Sequence, residues 1–366
     1  MGRKQGPRKG SMQFWPRKRA EKILPRVNWK PVISTLSGSH PLSSSKSSAS
    51  SQHSSSQSSS ISSHSSGSSQ PSSGSHVLGF IGYKAGMASA YVKDNTPDYM
   101  TKNKRIIVPV TILECPPMKI LSVRFYKNGR VFKEVLNDNL DKELIRIVKI
   151  PSSKNKRSAK DEIEKIVGSS EKEKSFDDVQ IMVYSEAKRT EIKKTPDISE
   201  MALSGGNVEE KINFIKDHLA KEISVNDVFS KGVVDIRGVT TGRGFQGSVK
   251  RFGIRLRFHK SEKGVRRVGS VGAWHPTGIR FRVPMPGQIG FHTRLVYNSP
   301  VIASKKFSEN DMIAKKVFSG FGIIKTDYII LAGSVQGPVK RQLLITHAFR
   351  PTKKQIKRQY ELLELR

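Results

Sequence analysis

The sequence predicts a mainly β fold, in which a small closed barrel carries an α+β insertion and two long, irregular basic extensions. Short runs with strand composition lie on both sides of a helical block, and Gly, Pro and Asn turn signals separate these runs. The positive charge is concentrated in segments with little apolar material. Many short strands around an insertion indicate a barrel, and 366 residues suffice for a sizeable core.

Shifts in composition divide the chain into eight predicted segments. Residues 1–33 are a basic extended arm and 34–76 a Ser-rich disordered linker. The barrel is built from 77–139, 223–241 and 295–349. Residues 140–222 form the α+β insertion, 242–294 a long basic loop, and 350–366 a basic C-terminal tail.

The arm interleaves basic residues with Phe14, Trp15 and Trp29, and Pro and Gly interrupt it too often for a regular element. Its tryptophans either stack on bases and Arg planes or pin the arm to its own domain. Serine in the linker offers no apolar surface to offset the entropy of ordering. The linker is therefore expected to be a removable spacer or, alternatively, a phosphorylated tether.

Ordered structure is predicted to begin at Val77 with the strand VLGFIGYKAGMASAYV, whose glycines indicate tight bends or close backbone approach. The runs RIIVPVTILEC, KILSVRFY and GRVFKEVL follow as strands, and Asn128–Gly129 is a hairpin signal. The single cysteine, Cys115, is expected to pack as a small hydrophobe.

The insertion changes to helical periodicity. SAKDEIEKIVG and NVEEKINFIKDHLA predict amphipathic helices, the second capped by Asn207 with Glu210 three residues later. Strands return in GVVDIRGVTT, VYNSPVIAS, FGIIKTDYIILAG and VKRQLLITHAF, and the end, RPTKKQIKRQYELLELR, is expected to be a short basic helix or tail.

The charge is unevenly placed. The net charge is +34, yet residues 133–235 hold 19 basic and 21 acidic side chains, whereas residues 236–300 hold 13 basic side chains and one acid, Glu262. A solvated charged face needs intervening acids. This Gly-interrupted segment therefore predicts a polyanionic partner, and the phosphodiester backbone of RNA is the favoured one.

The predicted RNA-binding residues are the basic side chains of the arm and the loop, together with an aromatic apex. In the arm they are Arg3, Lys4, Arg8, Lys9, Arg17, Lys18 and Arg19, and in the loop Arg243, Lys250, Arg251, Arg255, Arg257, Lys260, Lys263, Arg266, Arg267, Trp274, His275, Arg280, Arg282, His292 and Arg294. Trp274, flanked by small residues, either stacks on a base, plugs a pocket or packs against its own loop.

The run GRGFQG at 242–247 has dinucleotide-binding spacing, and Glu262 follows at about the distance of a ribose-binding acid. The next residues, SVKRFGIRLRF, alternate like a strand or extended segment instead of opening a helix. We therefore expect these glycines to let a loop backbone lie close to RNA.

Other classes are disfavoured. One cysteine excludes a disulfide framework and a Cys-based zinc site, and no run of about 18 apolar residues is present for a membrane helix. His259, His275 and His292 have basic surroundings that repel a metal, and no nucleophile elbow occurs. Neither enzyme activity, cofactor, metal, small-molecule substrate nor membrane contact is expected. The Arg-rich start resembles an organellar transit peptide in composition, but its glycines and prolines oppose the required helix.

Five motifs carry a family resemblance: GPRKGSMQFWPRKRA at 6–20, LGFIGYKAGM at 78–87, VTTGRGFQGSVKRFG at 239–253, VGAWHP at 271–276 and GQIGFHTR at 287–294. Outside the serine tract, the sequence resembles the universal family of large-subunit ribosomal protein L3 in its archaeal and eukaryotic form. The resemblance implies a barrel of the translation-protein type and extensions that penetrate large-subunit rRNA. It also implies binding near the 3′ end of that rRNA, a role in nucleating subunit assembly, and an approach of the Trp274 loop to the peptidyl transferase centre.

The resemblance further implies neighbouring large-subunit proteins as partners and a cytoplasmic location. Two departures stand out. Glu262 occupies the place of a modifiable histidine of eukaryotic members, so that modification is not expected, and the serine tract replaces a short connection. A free RNA chaperone or remodelling factor is the alternative hypothesis, and an RNA-modifying enzyme ranks third.

Overall fold

The computed structural model describes residues 14–30, 75–150, 158–168, 176–205, 207–229, 232–275, 277–280, 283–308, 313 and 316–366. In these ranges the fold is mainly β, as the sequence predicts. Almost all of the predicted linker and the first 13 residues of the arm lie outside them.

The larger sheet has seven strands in the order β12-β7-β10-β11-β2-β1-β13. An additional β1–β12 pairing joins six of them into a ring, and β13 (Tyr360–Leu365) lies outside it. All of these pairings are antiparallel. The ring strands are β1 (Gly79–Asp94), β2 (Arg105–Glu114), β7 (Gly232–Val239), β10 (Thr293–Lys305), β11 (Tyr328–Ala332) and β12 (Gln342–His347).

Two glycines of strand β1, Gly79 and Gly86, lie where neighbouring side chains contact the backbone. A Cβ at Gly79 would lie 2.8 Å from the Sδ of Met201, and one at Gly86 would lie 2.8 Å from Phe318. Gly79 opens the strand and Gly86 lies where the β1–β2 register shifts, so close approach to the backbone accounts for both glycines and no turn interrupts the strand. Cys115, just after β2, is fully buried as predicted.

A second sheet has the order β4-β3-β5-β6 and comprises β3 (Met118–Lys127), β4 (Arg130–Leu136), β5 (Asp178–Ser185) and β6 (Ile198–Ala202). Asn128 and Gly129 both have positive φ, 51° and 74°, and close the predicted hairpin. Strands β3 and β4 were assigned to the barrel from their sequence, but they pair with the strands of the insertion. The strand pattern is local, whereas the choice of a partner strand is not.

Two amphipathic helices cover the insertion, α1 (Ala159–Gly168) and α2 (Val208–His218), and both were predicted. Asn207 precedes α2 and bonds the side chain of Glu210, without a side-chain cap to the backbone. Shorter helices follow at α3 (Val225–Val228), α4 (Ser248–Phe252) and α5 (Lys353–Ile356), and 3-10 turns occur at Lys142–Arg146 and Ala187–Thr190. One core cluster runs from the ring strands into the second sheet and its helices.

The last strands differ from their predictions. Of FGIIKTDYIILAG only Tyr328–Ala332 is a strand. Gly322 closes a turn with Phe318 through an isolated bridge, and residues 323–327 form neither helix nor strand. The end of the chain is not a free tail, because β13 (Tyr360–Leu365) pairs with β1 beyond the helix α5. The residues before β13, RPTKKQIKRQ, are mostly basic and polar. This composition predicts a tail, so the strand YELLEL was not expected.

Candidate nucleic-acid interface

The basic loop leaves and re-enters the ring at neighbouring strands. Val239 at the end of β7 pairs with Thr293 at the start of β10, so the two stems of the loop are joined at its base. A short ribbon of β8 (Phe245–Gln246) and β9 (Gly287–Gln288) continues this pairing outward. From 253 to 286, the described residues form neither helix nor strand.

Gly290 is required at the base of this loop. Its φ is +73°, and a Cβ there would lie 2.1 Å from the carbonyl oxygen of Thr241. The backbones of the two stems therefore meet more closely than any side chain allows, and they exchange bonds between Arg243 N and Ile289 O at 3.0 Å and between Ile289 N and Gly244 O at 2.9 Å.

The residues after GRGFQG correct a prediction. Ser248–Phe252 is a short α-helix that ends at Gly253 in the left-handed region, not an extended segment. The motif still does not belong to a dinucleotide-binding unit, because such a unit needs parallel strands, and β7 pairs antiparallel with both β10 and β12.

The arm lies against the base of the loop. Trp15 stacks on Phe252 with ring centroids 5.9 Å apart, and the backbone N–H of Ala20 donates to Phe291 O at 2.8 Å. His292 is buried, and its Nδ1 lies 3.0 Å from the carbonyl oxygen of Lys18. The arm and the two stems of the loop therefore form one contiguous surface.

Trp29 anchors the other end of the described arm. It is 3% exposed, and its indole N–H donates to the carbonyl oxygen of Glu200 at 2.9 Å. Between stacking on bases and pinning the arm, the structure selects pinning for both Trp15 and Trp29. The aromatic residues of the arm thus position its basic side chains.

Uncompensated cations crowd the junction of arm and loop. Burial lowers the pKa of the Arg17, Arg251 and Arg294 guanidinium groups, and Arg17 lowers the pKa of the other two further by repulsion. Burial likewise lowers the pKa of His292, and the same three arginines add to that effect. Negative charge placed here would relieve this repulsion.

Two arginines of the loop, Arg251 and Arg257, also donate hydrogen bonds to carbonyl oxygens of the loop backbone. Arg251 donates to Gln288 O at 3.0 Å and to Met285 O at 2.8 Å, and Arg257 donates to Val268 O at 3.0 Å. These arginines shape the loop as well as charging it, so their substitution would disturb both functions.

The outer part of the loop is open. Trp274 is 85% exposed, which excludes packing against its own loop. None of the described basic residues of the arm or of 242–294 forms an ion pair with a carboxylate, although such pairs are frequent elsewhere in the described chain. Free cations flanking an exposed indole are suited to phosphates and an unstacked base.

The predicted RNA-binding residues fall into four groups by location. Lys18, Arg19, Arg243, Lys250, Arg255, Lys260, Lys263, Arg266, Arg267, Trp274, His275 and Arg280 are exposed; Arg17, Arg251, Arg257 and Arg294 are half-buried; His292 is buried; Arg3, Lys4, Arg8, Lys9 and Arg282 lie outside the described residues. His292 has a positioning contact to the arm, and its contact with RNA stays a prediction.

Two exposed aromatic side chains of the loop were not singled out from the sequence. Phe245 is 75% and Phe258 66% exposed, and the Phe258 ring lies 4.1 Å from that of His259. The signal was present in RLRFHK, where an aromatic residue interrupts a basic run without apolar periodicity.

Within the part of the chain that the structure describes, no three His, Cys, Asp or Glu side chains group as a metal site would require. The helices of this part of the chain all lack the length and apolar character needed to cross a membrane.

The fold and the interface define a class of protein: a β protein with a cationic surface that lacks its own counter-charges. A family model described as Ribosomal protein L3 matches residues 48–365. The large ribosomal subunit protein uL3 of Methanocaldococcus jannaschii is 36% identical over 362 residues, covering 96% of this chain and 93% of that protein. The chain therefore belongs to the ribosomal protein L3 family.

Other archaeal relatives agree. The large ribosomal subunit protein uL3 of Methanobrevibacter smithii is 34% identical, covering 97% of this chain and 95% of that protein. That of Archaeoglobus fulgidus is 35% identical, with 95% and 93% covered. The family consists of structural ribosomal components, so the prediction that the chain is not an enzyme is confirmed.

Proposed function

We propose that the chain is a structural constituent of the large ribosomal subunit, where it binds large-subunit rRNA near the 3′ end and helps nucleate assembly. The arm and the loop at 242–294 enter the RNA, and Trp274 extends toward the peptidyl transferase centre. One observation carries the RNA contact: the exposed cations of this surface have no carboxylate partners among the described residues. The family match supports the subunit assignment.

The remaining segments take complementary roles in this proposal. We infer that the six-strand ring is a small closed barrel of the translation-protein type, with the insertion on its solvent side. The domain boundaries predicted from sequence are proposed with it, except that β3 and β4 belong with the insertion. The chain then works in the cytoplasm among neighbouring large-subunit proteins, and without a cofactor or small-molecule substrate.

Sedimentation after a salt wash tests the proposal. Ribosomes are washed in moderate salt, which releases loosely bound factors, and subunits are separated on a gradient. We expect the chain to remain with large subunits in constant proportion to an rRNA marker. A chain that appears in the unbound fraction after the wash is a free RNA chaperone or remodelling factor, and the proposal fails.

Crosslinking in intact subunits tests the placement of the loop. Peptides that carry nucleotide adducts are expected from 242–294, and the rRNA sites should include the 3′ region and the active centre. Adducts confined to the arm would refute the role given to the loop.

A further inference from the structure

The C-terminal segment suggests a second binding surface, because its basic residues are fixed to the fold. We define the C-terminal lysine surface as the exposed basic side chains of α5, of the residues on either side of α5, and of the turn between β1 and β2. These are Lys102, Lys104, Arg350, Lys353, Lys354, Lys357 and Arg358. None of them belongs to the arm or to the basic loop.

The turn at 95–104 is organised by one buried carboxylate. Asp94 is 2% exposed, and its oxygens accept from Thr96 N at 3.0 Å and Thr101 Oγ1 at 2.5 Å. The backbone carbonyl of Asp94 also accepts from Asn103 N at 2.7 Å. These bonds fix the shape of the turn without consuming its lysines.

The segment that holds α5 is fixed to this turn and to the ring. Asn95 N donates to Gln359 O at 2.9 Å, and Gln359 N donates to Thr96 Oγ1 at 3.1 Å. On the other side, the side chain of Gln355 donates to the carbonyl of Asn298 in β10 at 3.2 Å. Because β13 then pairs with β1, the backbone that carries these basic side chains is fixed on both sides of α5.

The charge of this surface is almost uncompensated. Residues 95–104 and 350–359 together contain seven basic side chains and one acid, Asp98. Asp98 pairs with Lys357 at 3.3 Å, and both side chains are well exposed. Among the described residues, the other six basic side chains of the surface form no ion pair, and of these Arg358 interacts electrostatically with the buried carboxylate of Asp94.

A groove lies between the turn and the helix. It has a volume of about 510 Å³ and is lined by Pro97, Asp98, Tyr99, Met100, Lys353, Lys354 and Lys357. Met100 is 94% exposed at its rim. Cationic head groups beside an aromatic ring and a flexible thioether match a sugar–phosphate backbone with a base or ribose alongside.

We propose that the C-terminal lysine surface is a second RNA-binding site, which takes the phosphate backbone of large-subunit rRNA. This inference rests on the proposed function, since the ribosome supplies that RNA. The excess of positive charge favours RNA over a protein partner, because six unpaired cations would need a strongly acidic protein segment to match them.

The test uses the full chain and deproteinised large-subunit rRNA, with the dissociation constant measured at several salt concentrations. Lys353→Gln with Lys354→Gln removes two cations that make no ion pair. We expect the slope of log affinity against log salt to fall by roughly two units if each lysine meets a phosphate. The matched control, Lys160→Gln with Lys165→Gln on α1, removes two exposed lysines of the near-neutral insertion and should leave the slope unchanged. A wild-type slope in the Lys353 and Lys354 variant overturns the inference.

Amine labelling in assembled large subunits separates the remaining possibilities. Protection of Lys353 and Lys354, with nucleotide adducts on peptides from 95–104 or 350–359, supports the RNA site. Full reactivity shows a solvent-facing surface, and crosslinks from these lysines to an acidic protein segment show a protein site; either result overturns the inference. If the chain is also absent from large subunits, the proposed function fails as well, whereas retention there confines the failure to this surface.

Discussion

The insertion and the basic loop use the same two cationic residue types in opposite ways. In the second sheet and its helices, Lys188 bonds Glu143 at 2.6 Å, Lys211 bonds Asp178 at 2.7 Å and Lys216 bonds Glu164 at 2.8 Å. In the loop, the described cations lack such partners. A region that pairs its own charges needs no charged partner to offset them, whereas unpaired cations favour association with a polyanion.

The ring strands, which carry the loop, hold two buried titratable groups that are not exposed to a partner. Burial lowers the pKa of His347 from 6.5 to about 4, and burial raises the pKa of Glu114 from 4.5 to about 7. The folding stability due to neutral His347 is lost as pH falls from 6.5 toward 4, whereas that due to protonated Glu114 is lost as pH rises from 4.5 toward 7.

The two effects oppose each other between pH 4.5 and 6.5, so we expect them to cancel in large part in the wild type, with the lowered pKa of His292 adding a shallow rise in stability with pH. Glu114→Gln should expose the His347 effect, with stability rising by up to about 3 kcal/mol as pH increases across this window. His347→Gln should give the opposite slope. Urea unfolding at pH 4.5, 5.5 and 6.5 measures both, and parallel pH profiles for the three proteins would contradict this assignment.

Breaking one compensated pair tests the insertion directly. Lys211 is 3% exposed, so Asp178→Ala leaves a buried ammonium without its carboxylate. We expect a loss of on the order of 2–3 kcal/mol in unfolding free energy, below the fully buried range because Asp178 is partly exposed. The double variant Asp178→Ala with Lys211→Met should recover most of this loss, and a loss equal to that of Asp178→Ala alone would count against the pair.

A substitution at Trp274 tests the role of the basic loop at 242–294. Trp274→Ala should fold and enter large subunits normally, because the side chain is exposed and has no packing to lose. Peptidyl transfer by those subunits should fall several-fold, since a base-stacking contact is worth about 1–3 kcal/mol. Phe132→Ala, an exposed aromatic residue of β4, is the control. Unaltered peptidyl transfer in the Trp274 variant would refute the role of the apex.

The smallest expected effect concerns single phosphates. Arg266→Gln with Arg267→Gln should lower the salt slope of rRNA binding by roughly two units and leave unfolding unchanged. The Lys160 and Lys165 variant on α1 again serves as the matched control. An unaltered slope would show that these two arginines do not meet RNA.

Most local signals predict the observed elements, whereas the choice of a partner strand does not show in the sequence. The helix Ser248–Phe252 and the irregular residues before Tyr328 are the local exceptions. Asn128–Gly129 fixes its hairpin because both residues tolerate positive φ, and α2 follows from its apolar periodicity. Strands β3 and β4 carry the same strand pattern as the ring strands, so only the folded chain reveals their sheet. The strand β13 was missed because its pairing with β1 joins residues far apart in sequence.

The interface divides in the same way. The composition of 236–300 indicates where the cationic surface and Trp274 lie, because an excess of basic over acidic residues can be counted in the sequence. The attachment of the arm was not visible, since the contacts of Trp15 with Phe252 and of Lys18 with His292 span more than two hundred residues. The sequence left the tryptophans between two roles, and tertiary contacts decided between them.

Hydrogen exchange of the free chain, compared with the chain in large subunits, tests most directly whether RNA completes the loop. Amides at 253–275 should exchange rapidly in the free protein, where no helix or strand protects them, and slowly in the subunit. Those of β1 and β2 should be slow in both. Strong protection of 253–275 in the free protein would contradict the dependence of the loop on RNA.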